Sequence, residues 1–205
     1  MHSCRQQSGG GMHGLINRSI QCFIRDAYGA SAWQDVVRHA DLPVSEFEAM
    51  LHYDDGLTEK ILMGCAKVLG RDVEDVLEDL GTHLVSHPTT EPLRRLLRFG
   101  GFDFVDFLHS LDELPDRARL AVADLEMPML SVRDCGAGAY TLQIRGAIPG
   151  FGAVFVGILR AMADDYGALA VIERRALGDR FDALDVRLLD AGFADGRSFD
   201  LARGA

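Results

Sequence analysis

Cysteine is scarce and scattered. Cys4, Cys22, Cys65 and Cys135 never form a CxxC pair, which removes the spacing of a cysteine zinc site and the framework of a small disulfide-held domain. Long apolar runs are missing too, since none approaches the roughly 18–20 residues a helix needs to cross a bilayer. Positive charge is in deficit, with 21 Lys and Arg against 31 Asp and Glu for a net charge of −10. That balance excludes nucleic acid as the main partner and disfavours an anionic membrane surface. Catalytic signatures are lacking: there is no GxSxG elbow, P-loop, HExxH or strand-following GxGxxG. The carboxylate pairs Asp54-Asp55 and Asp164-Asp165 fall at turns or helix ends, where acidic side chains are commonly just solvated. The chain is therefore not read as an enzyme. Its opening, MHSCRQQSGGG, is polar and Gly-rich, neither signal peptide nor anchor. Reduced thiols in the cytoplasm are the expectation.

What is present is a two-part pattern. After a disordered lead-in over residues 1–11, apolar residues recur at helical spacing in Ile16, Ile20, Phe23, Ile24 and Ala27, up to Gly29. Ser31 with Gln34, and Ser45 with Glu48, read as capping boxes, opening helices that carry Trp33, Val36 and Val37, then Phe47, Met50 and Leu51. A longer stripe of Leu57, Ile61, Leu62, Cys65, Val68 and Leu69 stops at Gly70. Asp72 caps the next helix and Pro88 ends it. Cys22 and Cys65 sit on apolar stripes as packing residues. Leu93 to Arg98 reads as a helix with a solvated basic side, and Phe102 to Leu114 as an apolar helix that stops at Pro115. His83 and His87 share a helix face, with a charge-dipole role as the plainer account beside zinc.

Beyond Pro128 the period changes from helical to alternating. Met129–Arg133 and Ala139–Arg145 read as strands joined by a Gly-rich turn, followed by a helix from Pro149-Gly150 through Met162. Two more strands follow, over Leu169–Leu177 and Phe181–Leu189. The fold class is α+β: an N-terminal helical lobe, about 12–125, packed on a C-terminal lobe with a four-stranded antiparallel sheet, about 126–190. A loose tail completes the chain over 191–205.

Met12-His13-Gly14-Leu15-Ile16-Asn17 is followed in order by Tyr28-Gly29 with Trp33, Tyr53-Asp54-Asp55 and Leu80-Gly81. Phe107-Leu108-His109-Ser110-Leu111-Asp112-Glu113-Leu114 and Met127-Pro128-Met129 come after them. In this order the strings resemble the heme nitric oxide/oxygen-binding (H-NOX) family: the first is similar to its opening, the octapeptide to its FLxxLDxLH helix, and the last to its entry to the sheet. The resemblance covers roughly Met12 to Leu189. It implies a heme between the two lobes, a histidine after LDxL as the iron's protein ligand, and a YxSxR strand motif on the propionates. It also implies nitric oxide sensing, passed to a cyclase or histidine kinase as partner.

Two departures stand out. Pro115 occupies the position where the family has its histidine, and proline has no side-chain donor for iron. It should end the helix there or open a new one. Aligned on arginine, the strand motif becomes Thr141, Gln143 and Arg145, on one face of the strand, with Arg145 able to hold a carboxylate through its planar fork. His109 is the substitute ligand to consider, although six residues along a helix leave it pointing elsewhere. The expected reading is a stand-alone H-NOX-like sensory domain whose cofactor is heme or none. The alternative is a heme-free module that binds another carboxylate ligand or a partner protein.

Overall fold

The computed structural model describes residues 12–123, 125–146, 150–178 and 180–199. The expected lead-in at 1–11, Pro149 and the last part of the tail lie outside these residues. The chain divides into two compact units, 1–73 and 74–205.

In the first unit, β1 (Met12–His13) pairs antiparallel with β2 (His52–Tyr53), and three helices follow the stripes: α1 (Gly14–Tyr28), α2 (Ala30–His39) and α3 (Asp55–Leu69). Ile20, Phe23, Ile24, Trp33, Val36, Phe47, Ile61 and Cys65 form the core. Asp54 caps α3 by accepting the Gly56 N–H at 2.9 Å, and left-handed Gly70 ends it. Neither capping box forms. α2 already starts at Ala30, after Gly29 at φ 91°, so Ser31 lies inside the helix. Residues 45–51 make no helix. There the side chains of α1 take the backbone groups a helix would have used: Gln21 accepts the Phe47 N–H at 2.9 Å, and Arg18 donates to the Phe47 carbonyl at 3.1 Å. The Trp33 indole donates to the Ser45 carbonyl at 2.8 Å. Met50 and Leu51, expected on that helix, are exposed.

The second unit holds α4 (Val73–Ser86), α5 (Glu91–Arg98), α6 (Phe104–Ser110), α7 (Leu114–Ala121) and α8 (Phe151–Tyr166), with strands β3 (Met129–Gly136), β4 (Ala139–Arg145), β5 (Leu169–Gly178) and β6 (Phe181–Asp190). The four strands form one antiparallel sheet in the order β3-β4-β6-β5. Fold class and strand positions agree with the expectation. The second unit groups α4 to α7 with the sheet.

The reason is close packing on the sheet's inner side. Gly81 of α4 touches α8 so tightly that a Cβ there would lie 2.0 Å from the Val154 carbonyl oxygen, and one on Gly157 of α8 would lie 2.0 Å from that of Glu78. Only a residue without a side chain permits such an approach. Alternation puts Tyr140, Leu142, Ile144, Ile172, Leu184 and Val186 on this inner face.

Candidate functional site

The FLHSLDEL string does not form one helix. α6 begins at Phe104, capped by Asp103, which accepts the Asp106 N–H at 2.8 Å. A 3-10 turn over Leu111–Glu113 follows, and α7 opens at Leu114 with Pro115 in its first turn. Proline is at home there, because the first-turn N–H has no helical partner to lose. Leu111, Leu114 and Pro115 are buried. Asp112 ties the turn to the sheet by accepting the Val132 N–H at 2.6 Å, and the Arg117 guanidinium donates back to the Ser110 carbonyl at 2.9 Å. The break between helices is thus held from both sides, and the residue it presents at the expected ligand position has no side-chain lone pair to give.

His109 is exposed on α6, its ring edge-on to Tyr140 of β4 with centroids 5.8 Å apart. Thr141, Gln143 and Arg145 lie together on the outer face of the sheet, opposite to Tyr140, Leu142 and Ile144. Thr141 donates to Asp185 at 2.9 Å, and the Arg145 guanidinium sits 5.4 Å from the Phe181 ring centroid. The three residues share one strand face as their spacing required, with Arg145 exposed and Thr141 and Gln143 half-buried.

The second unit also holds a charge cluster that sequence reasoning missed. Asp165 is 0% exposed and Arg94 4%. The Arg94 Nε donates to Asp165 at 2.8 Å, Arg98 lies 3.5 Å from its other oxygen, and Arg197 lies 3.7 Å away. Arg98 stacks over Tyr166, whose hydroxyl donates to the Gly101 carbonyl at 3.0 Å and whose phenol burial pushes up to about 12. Two expectations are corrected here. The Leu93–Arg98 helix does not present a plainly solvated basic side, and Asp165 is not a solvated helix-end acid. A buried charge needs a partner, and each supplies the other.

Residues 194–199 reach this same cluster. The Ala194 N–H donates to Gly167 at 3.0 Å and the Arg197 N–H to the Asp165 carbonyl at 2.9 Å, while Phe199 lies under Arg98 with the guanidinium 5.1 Å from its centroid. Backbone bonds and the arginine cluster tie down a segment whose polar composition suggested looseness.

Elsewhere, His83 and His87 stack at 4.5 Å, and the His87 Nδ1 is within 2.8 Å of the Thr89 hydroxyl. Burial raises the Cys22 thiol and pushes Cys65 up to about 12, the behaviour of packing residues. No helix among the described residues is long and apolar enough to cross a membrane.

The model of the haem-NO-binding family matches residues 13–174. Soluble guanylate cyclase gcy-31 of Caenorhabditis elegans is 28% identical over 140 residues, covering 68% of this chain and 20% of that protein. Soluble guanylate cyclase 89Da of Drosophila melanogaster is 20% identical over 160 residues, covering 78% and 24%. The chain therefore spans about a fifth to a quarter of the length of these curated relatives. Among solved structures, the Fe(II) unliganded H-NOX protein from K. algicida matches with a TM-score of 0.75 at 14% identity, over 92% of this chain and 100% of that one. An oxygen-binding H-NOX domain related to soluble guanylate cyclases, in its oxygen complex, matches with a TM-score of 0.68 at 18% identity, over 91% and 100%. At such identities the likeness is one of fold.

Proposed function

Since the chain belongs to the haem-NO-binding family, we propose that it is a cytoplasmic sensory domain that signals through a partner protein, without a histidine-ligated heme iron. The observation that carries this reading is Pro115, buried in the first turn of α7 where the family resemblance places the ligand. A proline ring has no donor atom for iron. The residues at this position therefore do not fit the group as the family holds it. His109 offers a nitrogen, but from an exposed turn of α6 against Tyr140.

The protein's role is regulatory in this reading, as befits a member of a sensory domain family. The partner class is a cyclase or a histidine kinase, supported by the soluble guanylate cyclases among the relatives. A second reading, an adapter that binds carboxylates with no heme at all, is favoured by the exposed guanidinium of Arg145 on the face it shares with Thr141 and Gln143.

The test is an absorption spectrum with an iron assay on protein expressed with added heme. No Soret band of stoichiometric, protein-ligated heme is expected. One heme iron per chain, bonded to His109 or any other side chain, would sink the proposal. Pro115→His restores a donor at the same position, so a ligated-heme spectrum acquired by this variant alone would assign the loss to that residue.

A further inference from the structure

The outer face of the sheet carries charge of the opposite sign to the rest of the chain. Cross-strand register places Arg133 beside Thr141, Thr141 beside Asp185 and Asp185 beside Glu173. The neighbouring rows run Ser131, Gln143, Ala183, Arg175 and then Met129, Arg145, Phe181. At the other end Ala139 stands beside Arg187, and Arg187 beside Val171. Four arginines, Arg133, Arg145, Arg175 and Arg187, thus share the face with two carboxylates, Glu173 and Asp185, in a chain whose net charge is −10.

All four arginines are exposed. Only Arg175 makes an ion pair among the described residues, a two-pronged contact with Asp185 at 2.5 and 3.0 Å. That pair displays on the face itself the geometry in which a guanidinium grips a carboxylate. Arg133, Arg145 and Arg187 are left to offer the same fork outward. Exposed apolar side chains stand among them: Met129 is 68% exposed and Val171 44%.

We propose that this face is a docking surface for an acidic polypeptide segment that interleaves carboxylates with apolar side chains. Arginines spread over adjacent strands match carboxylates spread along a peptide, and the apolar side chains give such a peptide contacts that a phosphate backbone would not use. The chain's negative field opposes a long polyanion, whereas a short segment senses the local face. The inference does not depend on the absence of ligated heme, since it concerns only the sheet's outer surface.

Fluorescence anisotropy with a labelled peptide of about twelve alternating glutamates and leucines, at low salt, tests it. The peptide is expected to bind, to weaken as salt rises, and to lose at least about tenfold in affinity in Arg133→Glu/Arg187→Glu. Arg38→Glu, at an exposed position of α2, is expected to leave binding unchanged. Arg133→Gln/Arg187→Gln, with a smaller loss, serves if the reversal unfolds the protein. No binding, equal binding by the reversed variant, equal or tighter binding of a single-stranded DNA of the same length, or a doubled mass abolished by the same substitutions would each overturn the proposal. The last two would assign the face to a general polyanion or to a second copy of the chain.

Discussion

The two units bury polar groups in opposite ways. The first relies on neutral amides and a hydroxyl: Asn17 is 0% exposed and accepts from the Thr58 hydroxyl at 2.6 Å, while Gln21 holds the backbone of Phe47. The second relies on full charges, with Asp165 at the centre of Arg94, Arg98 and Arg197. A neutral hydrogen bond costs little to desolvate and contributes about 0.5–1.5 kcal/mol. A buried ion pair costs much to form and more to break, because removing one member strands the other. Buried polar groups in the first unit are thus met by several small terms, and those around Asp165 in the second by one that works only when complete. The ionic arrangement also does more, as it collects α5, the end of α8 and the 194–199 segment at one point.

Asp165→Ala is expected to have the largest effect, about 3–5 kcal/mol of stability lost in urea unfolding. A loss under about 1 kcal/mol would mean that water reaches Arg94 and that the contrast between the units is false. Next comes Gly81→Ala, whose new Cβ meets the Val154 carbonyl. Overpacking of this kind costs about 1–3 kcal/mol, and a lower melting temperature with retained far-UV dichroism is the expected readout. Asn17→Ala should cost about 1–3 kcal/mol by leaving Thr58 unpaired, and a double-mutant cycle with Thr58→Val should recover much of it. Should Asn17→Ala cost more than Asp165→Ala, the ranking of the two strategies is reversed.

The smallest effect concerns pH. The hydrogen bond from Arg175 chiefly, and that from Thr141 after burial's opposing push, hold Asp185 below the usual carboxylate range. A depressed folded-state value stabilises the protein above the ordinary carboxylate pKa and loses that contribution as pH falls through the folded value. Asp185→Asn should therefore narrow its stability gap to the parent as the solution is acidified from neutral. A gap that stays constant would show the pair to be energetically silent, as many exposed pairs are.

Much of this was legible from residues in order. Glycine and proline punctuation located α1, α3 and α4, and period-two alternation located all four long strands, because both signals depend only on near neighbours. The donorless ring of Pro115 and the shared face of Thr141, Gln143 and Arg145 were legible for the same reason. The loop over 41–51 was not. Ser45 and Glu48 satisfy a local helix rule, yet Gln21 and Arg18, far off in sequence, claim the backbone of Phe47.

The Arg94–Asp165 pair spans 71 residues, and nothing near either residue marks it as buried. Local propensity and alternation are written in the chain itself, so the α+β order, the strand faces and the chemistry of Pro115 came from sequence alone. Which charges are enclosed, where the two units divide and which sheet face stays open depend on contacts between distant segments. Those contacts exist only after the chain has closed on itself and removed one set of side chains from water while leaving the other in it.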